Sequence, residues 1–569
     1  MRSFFKIFLA IRTFASMKFS SKRLSQTITQ LCLAKEIDHV VLSPGSRNAP
    51  LTIGFTEHPG FTTFSIVDER CAAFFALGLA QQLKRPVAIV CTSGSALLNY
   101  YPGVAEAYYS DIPMVVISAD RPEQLVEVGD GQTIKQENVF KGHILYSANC
   151  KDREDAQITN ETEVNIALNT AIELQGPVHI NAPFNEPLYK KVADLRVRPQ
   201  HVPARLPEDE LPDFDSLREI WKGSKRKMII MGVMSPDTLP QSIVDRLAAD
   251  PELIVFTETT SNTHHASFFP AIDQLIFSLD DEGFRNLQPE ILITIGGMVI
   301  SKRIKAFLRK YKPEHHWHVN PKKAYDTYFS LSEHIKMRPG QFFKILLSDI
   351  IPAARGFRDG WIEVKQHRLA KHEGYREEIP FSDFTTYETV FKSIPRDYML
   401  QVANSAAIRY SQLFSIHSSV QVFCNRGTSG IDGSTSTAIG AAVGSGTKTV
   451  LVTGDLSFFY DSNALWNQYI PKDFRIIIIN NSGGGIFRIL PGAKEAVHFE
   501  KYFETVHQLN AKNLCEMYGL MYASAHDKKE VEIKLSEFFS ESDRPKVLEI
   551  FTPAEINDRI LMDYFDFIR

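Results

Sequence analysis

The sequence predicts an α/β protein of three domains with mostly parallel sheets, and three observations predict it. Short β-branched apolar runs alternate with helical stretches along almost the whole 569-residue chain. Strands that alternate with helices form parallel sheets covered on both faces. Two stretches rich in proline or charge interrupt the alternation, and the length exceeds what one hydrophobic core organises.

In chain order, residues 1–16 (MRSFFKIFLAIRTFAS) hold an apolar stretch broken by Lys6 and Arg12. It is too short to span a bilayer and lacks a small-residue cleavage site. It is read as a non-core extension ahead of a natural start at Met17, with a weak targeting peptide as the alternative. The first domain is expected over 17–195, where HVVLS, TFSIVD, PVAIVCTSG, PMVVISAD and PVHINAP read as strands and CAAFFALGLAQQL as a helix. RPQHVPARLPEDELP carries four prolines, so 196–213 is an extended linker. A second domain over 214–355 has KMIIMG, ELIVFTE and ILITIGG as strands. The charged stretch PAARGFRDGWIEVKQHRLAKHEGYREE reads as a solvated helical connection around 356–379. The third domain, 380–569, holds QVFCN, TVLVTGD, IIIINN and KVLEIFT.

Composition excludes several function classes. With 44% hydrophobic and 23% charged residues the chain has an ordinary globular make-up. Its 63 basic and 67 acidic residues nearly cancel, so no global field favours nucleic acid or membrane insertion. The six cysteines include no CxxC pair, which fits reduced thiols in a cytoplasmic protein better than disulfides or zinc.

The densest chemistry lies at the ends of two apolar runs, TVLVTGD and IIIINN. In a right-handed βαβ unit with a crossover helix between about Asp461 and Tyr469, both ends emerge on one sheet edge, where open α/β sheets bind ligands. A carboxylate (Asp455), a carboxamide (Asn481) and a glycine carbonyl (Gly483) make a hard oxygen set. Such a set suits Mg²⁺, with Mn²⁺ as the alternative ion. Gly483, Gly484 and Gly485 allow backbone to approach a diphosphate closely. A plain nucleotide-binding βαβ unit, with Asp and Asn capping turns, is the competing reading. In the first domain, DERCAAFF puts Glu69 just after a strand, where an acid either caps a helix or serves chemistry.

The GD…NN arrangement resembles the thiamin-diphosphate enzymes. LSPGSRNAPLT, DERCAAFFALGLA, TSGSALLNYYPGVAEA, ISADRPEQL, NRGTSGIDGSTSTAIGAA and GDLSFFYDSNAL together resemble one family among them. That family is the 2-succinyl-5-enolpyruvyl-6-hydroxy-3-cyclohexene-1-carboxylate synthases of menaquinone biosynthesis. These motifs span nearly the whole chain. Gly454–Asp455–Leu456 departs from the general GDG signature, as this family does. The resemblance implies a pyrimidine-binding, a central and a diphosphate-binding domain. It also implies a homodimer or dimer of dimers with thiamin diphosphate at the subunit interface.

The resemblance further implies residue roles. Glu69 is the carboxyl that hydrogen-bonds the aminopyrimidine and promotes its imino form, which needs a partly dry site. Asp455, Asn481 and Gly483 hold the metal. Leu456, Ser457, Gly484, Gly485 and Ile486 contact the cofactor, and Ile431 wedges beneath it or is an ordinary turn residue. The implied reaction decarboxylates 2-oxoglutarate and adds the succinyl-semialdehyde carbanion in a 1,4 sense to isochorismate. Each substrate carries two carboxylates, which calls for several cations, preferably arginines. Ser46, Arg47, Arg121 and Gln132 are assigned to substrate from the first domain and Lys302 and Arg303 from the second. Ser405, Arg409 and Arg426 come from the third, with Arg409 and Arg426 also catalytic. Phe487 either lines the same pocket or packs in the core, and surface ion pairs are the bland alternative for the arginines. His315, His316 and His318 in EHHWHVN alternate on a strand without the further ligands a metal needs. Another thiamin-diphosphate decarboxylase or carboligase, or a catalytically silent relative, are the competing functions. Glu69, Asp455, Asn481 and Gly483 together argue against silence.

Overall fold

The computed structural model describes residues 18–490 and 492–569; the expectation for residues 1–16 lies outside them. The chain forms two compact units. One holds the described residues through Pro207 together with Gly427–Gly446 and Asp461–Pro471. The other holds Glu208–Arg426, Thr447–Tyr460 and Lys472–Arg569.

The first unit is built on a six-stranded parallel sheet. Its spatial order is Thr62–Ser65, His39–Leu42, Val87–Cys91, Met114–Asp120, Val178–Pro183 and Ser147–Asn149. Val87–Cys91 is buried throughout, as a central parallel strand with both faces covered must be. Helices Arg23–Ala34 and Gln157–Leu174 bury Leu24, Ile28, Val164 and Leu168 against one face. The helix Glu69–Leu83 is buried from Cys71 through Ala80 because a further helix, Ser434–Ser445, packs on it. Glycine permits that approach: a Cβ on Gly78 would lie 2.1 Å from the Thr437 carbonyl, and one on Gly440 would lie 2.0 Å from that of Phe75. A short antiparallel pair, Phe19–Ser20 with Lys191–Val192, adds to this unit.

The second unit contains two parallel sheets. The five-stranded one runs Leu253–Thr257, Lys227–Met231, Ile291–Ile295, His315–Val319 and Glu333–Ile335. The six-stranded one runs Val422–Phe423, Met399–Val402, Thr449–Gly454, Arg475–Asn480, Lys546–Phe551 and Met521–Ala525. The charged connection is a 22-residue helix, Phe357–Glu378, that still buries Arg368, His372 and Tyr375. The stretch 193–213 has no helix or strand, as its prolines imply.

One expected element is absent. No crossover helix spans 461–469: a six-residue helix, Asp455–Tyr460, is followed by a 3₁₀ turn, Ser462–Leu465. The break falls at Asp461, a fully buried carboxylate that accepts from the Ser436 backbone N–H (2.7 Å) and hydroxyl (2.9 Å). Asn467 then folds back to the Ala464 carbonyl, a local side-chain bond of the kind that competes with helix.

Candidate active site

In the first unit, the strand Thr62–Ser65 delivers the chain to Asp68, whose side chain caps the following helix by accepting from Cys71 N–H at 3.1 Å. With Asp68 taking the capping task, Glu69 is left half-buried at the first helical position, with Asn99 Nδ2 at 3.4 Å from its carboxyl. Burial raises its carboxyl above the ordinary range, and the nearby charge of Asp68 adds to that.

Substrate candidates gather in the same unit. Arg47 is buried, donates to the Phe184 carbonyl at 2.9 Å and lies 3.4 Å from Glu186. Burial and then the like charge of Arg121 lower its proton affinity, so two guanidiniums converge there. Arg121 donates to the Gly131 carbonyl at 3.1 Å, next to Gln132, which takes φ +55°. Ser46 is exposed and shares a 3.0 Å hydrogen bond with Tyr189. The segment carrying Ile431 is anchored by Glu106, a residue sequence reasoning missed. That buried carboxylate accepts from Gly427 N–H (2.7 Å), Thr428 N–H (2.6 Å) and the Thr428 hydroxyl (2.7 Å).

In the second unit, Asp455 and Asn481 stand at the ends of the neighbouring strands Thr449–Gly454 and Arg475–Asn480. Asp455 is buried and accepts from Leu456 N–H at 2.7 Å through one oxygen and from Gly483 N–H at 2.9 Å through the other. Ser457 is buried two residues on. Asn481 donates its amide to Asp383 at 2.9 Å, which leaves its carbonyl oxygen as the free acceptor. Gly483 sits at φ +152°, where a Cβ would meet the Glu504 carbonyl at 2.7 Å. The Gly484 N–H donates to that carbonyl at 2.6 Å, and a Cβ on Gly485 would lie 3.1 Å from Asn481 Nδ2. Asp455, Asn481 and Gly483 thus bring carboxylate, carboxamide and backbone carbonyl oxygens to one strand edge, donor types of the kind Mg²⁺ takes, and the Gly483 carbonyl also accepts from Gly485 N–H at 3.0 Å.

Two further residues complete this edge. Asp383 is buried, accepts from the Thr552 hydroxyl at 2.5 Å, and is pushed up to about 6 by burial, with the Asp455 charge contributing. His507 Nε2 stands 3.3 Å from Asp455 Oδ2, while its Nδ1 accepts from Leu509 N–H at 3.1 Å.

The second unit also has a cavity of about 280 Å³ whose lining includes Lys302, Arg303, Arg409 and Ile486, three residues past Gly483. Lys302 and Arg303 open the helix Lys302–Lys310, capped by Ser301, and the Arg303 guanidinium lies 3.4 Å over the Phe277 ring. Burial first, and then the charge of Arg426, lower the proton affinity of Arg409, while Asp273 pulls it back. Arg426 donates to Asn404 at 2.8 Å. Ser405 takes φ +73° and precedes the helix that carries Arg409. Phe487 is outside the cavity lining and lies against Gly484 and the Phe503 ring.

Glu258 and Asp273 line the cavity too, unnoticed in the sequence. Glu258 follows a strand in IVFTETTS, so the strand-end-acid signal that singled out Glu69 applies to it equally. It is buried, accepts from Ile300 N–H (2.8 Å) and Ser301 N–H (2.9 Å), and is pushed up to about 7 by burial. The histidines of EHHWHVN build no metal site: His316 and His318 both meet the Thr294 hydroxyl, at 3.0 and 2.8 Å. All six cysteines are buried, and none forms a disulfide among the described residues.

Comparison with known proteins agrees with this architecture. Residues 22–142 match the N-terminal TPP binding domain of the thiamine pyrophosphate enzymes, 208–349 their middle domain, and 405–550 their C-terminal TPP binding domain. A 2-succinyl-5-enolpyruvyl-6-hydroxy-3-cyclohexene-1-carboxylate synthase from Christiangramia forsetii is 52% identical over 97% of this chain and 100% of its own length. Proteins of the same name from Flavobacterium psychrophilum and Flavobacterium johnsoniae are 54% and 53% identical, each over 95% of this chain and 98% of their own. With three thiamine pyrophosphate domains in order and identity above half across almost its full length, the chain belongs to the 2-succinyl-5-enolpyruvyl-6-hydroxy-3-cyclohexene-1-carboxylate synthase family of thiamine pyrophosphate enzymes.

Proposed function

We propose that the chain decarboxylates 2-oxoglutarate and adds the four-carbon unit to isochorismate in a 1,4 sense, forming 2-succinyl-5-enolpyruvyl-6-hydroxy-3-cyclohexene-1-carboxylate for menaquinone biosynthesis. The observation that carries this reading is one edge of the second unit. The oxygen group of Asp455, Asn481 and Gly483 adjoins a glycine run, and that run leads to Ile486 in a cavity lined by Lys302, Arg303 and Arg409. Bound thiamin diphosphate supplies the electron sink that decarboxylation of a 2-oxo acid requires. Asp455, Asn481 and Gly483 would hold its Mg²⁺, and Mn²⁺ fits the same donors. Leu456, Ser457, Gly484 and Gly485 would line its diphosphate. Glu69 would hold and share the proton of its pyrimidine, with Ile431 as the wedge beneath it. The arginines would orient the substrate carboxylates, Arg409 and Arg426 with a catalytic part as well and Arg47 and Arg121 as substrate contacts.

The domain plan proposed is a pyrimidine-binding region over 17–195, a central one over 214–355 and a diphosphate-binding one over 380–569. The protein is proposed to work in the cytoplasm. None of the described helices is long and apolar enough to cross a membrane.

The test supplies purified protein with thiamin diphosphate, Mg²⁺ and 2-oxoglutarate, with and without isochorismate. Release of CO₂ coupled to the succinyl product is expected; turnover of pyruvate instead would overturn the assignment. Arg409→Ala is expected to raise KM for 2-oxoglutarate by about 10- to 100-fold, the scale of a charge-assisted hydrogen bond, with a smaller change for thiamin diphosphate. Equal losses for both would make Arg409 a structural residue.

A homodimer or dimer of dimers with the cofactor shared between subunits is also proposed. Glu69→Gln and Asp455→Ala chains, each inactive alone, would regain activity when co-expressed, because a mixed dimer then holds one intact site. Mixed dimers with no activity would place both residues of each site on one chain.

A further inference from the structure

We propose that Asp273 recognises the ring hydroxyl of the acceptor substrate in the second-unit cavity, a proposal that rests on the function proposed above. The cavity is built for a ligand that is part apolar and part anionic. Ile272, Phe277, Leu413 and Phe565 supply apolar wall, and Lys302, Arg303 and Arg409 supply cations. Two carboxyl groups in the same lining are out of place in a site for dicarboxylates, since like charges repel at short range. Each therefore needs a separate account.

Glu258 has one. Its oxygens are taken by Ile300 N–H and Ser301 N–H, so it fixes the turn that leads into Lys302 and Arg303.

Asp273 is different. One oxygen accepts from the Ser301 hydroxyl, yet the residue is only half-buried and faces the cavity. Burial raises its carboxyl, and the Ser301 hydroxyl and the charges of Arg303 and Arg409 oppose that rise. The Ser301 hydroxyl takes the Ile304 N–H and gives its own proton to Asp273, so the carboxyl already serves as an acceptor, and as a carboxylate between two guanidiniums it meets a ligand group that donates. 2-Oxoglutarate offers two carboxylates and a ketone, and no donor when ionised. The product for which the family is named retains a 6-hydroxy group on its six-membered ring, so the acceptor brings a hydroxyl. That hydroxyl is the one group in either substrate that suits Asp273, while the ring suits the apolar wall and the carboxylates suit the cations. A site that pairs such an acceptor with a substrate hydroxyl discriminates strongly against the analogue without it.

The experiment compares wild type, Asp273→Asn, Asp273→Ala and Ser301→Ala with isochorismate and with its ring-deoxy analogue, measuring KM for each substrate separately. Wild type is expected to prefer the hydroxylated acceptor by about 100-fold or more. In both Asp273 variants that preference should shrink by roughly 10-fold or more, and KM for isochorismate should rise further than KM for 2-oxoglutarate. Ser301→Ala removes the partner of Asp273 and the helix cap but keeps the carboxylate, so it should retain the preference. An unchanged preference in Asp273→Ala, or an equal shrinkage in Ser301→Ala, would overturn the assignment and leave Asp273 a structural support. Wild-type protein inert with isochorismate but active on another acceptor would overturn the proposed function itself, and this assignment with it.

Discussion

Glu69→Gln is expected to lower turnover by roughly 10²- to 10⁴-fold, the range that a positioned proton-transfer group contributes, while thiamin diphosphate still binds. The substitution keeps side-chain volume and the contact with Asn99 but removes the group that exchanges a proton. Folding should be nearly untouched. The helix cap is made by Asp68, whose carboxylate holds Cys71 N–H, and the loss of one acid from a helix start costs about 0.3–1 kcal/mol. Burial, which raises the Glu69 carboxyl, keeps its proton affinity within reach of a ring nitrogen. Exchange of the thiazolium proton with solvent, followed by NMR, separates this role from substrate binding: it should slow in Glu69→Gln and stay fast in Arg409→Ala. A Glu69→Gln enzyme with full activity would remove the residue from the mechanism.

How far the sequence could be read depended on where each signal is stored. The central strands Val87–Cys91 and Arg475–Asn480 are buried at every position, and a continuous apolar β-branched run announces such a strand. Met399–Val402 is equally buried but reads MLQV, with a polar residue and one β-branched side chain, and it escaped notice. Edge strands such as Ser147–Asn149 and Glu333–Ile335 are too short to leave a pattern. The crossover helix expected over about 461–469 does not form, and Asp461 stands at the break. Its role is set by Ser436, which periodicity does not reveal.

The same contrast holds at the site. Asp455 follows a strand directly and Glu69 follows one after three residues, so local context exposes them. Asp383 is paired with Asn481 and Thr552, Asp273 with Ser301, and Glu106 with Thr428. These pairings join distant parts of the chain and become visible only in three dimensions.

Asp455→Ala is expected to abolish activity at ordinary Mg²⁺ concentrations by weakening metal-dependent cofactor binding. The effect should exceed the ~10- to 100-fold loss that follows removal of an outer partner of a metal ligand, because here a charged ligand is lost. The carboxylate also accepts from Leu456 N–H and Gly483 N–H. Its removal leaves two donors without a partner at the turn that would cradle the diphosphate, at about 1–3 kcal/mol for each buried one. Asp455→Asn is the sharper probe, since it keeps one oxygen and the volume but sets an amide donor against a backbone N–H. It should restore part of the fold stability and little of the metal affinity. Titration of Mn²⁺ by electron paramagnetic resonance, in the presence of thiamin diphosphate, reads the metal directly and without turnover. The removed charge has one further consequence. Asp455 contributes to the raised carboxyl of Asp383, now at about 6, so Asp455→Ala should shift that carboxyl downward, a change that NMR of the side chain detects. Unaltered Mn²⁺ affinity in both variants would put the metal elsewhere, and the oxygen group at these two strand ends would then be only a turn.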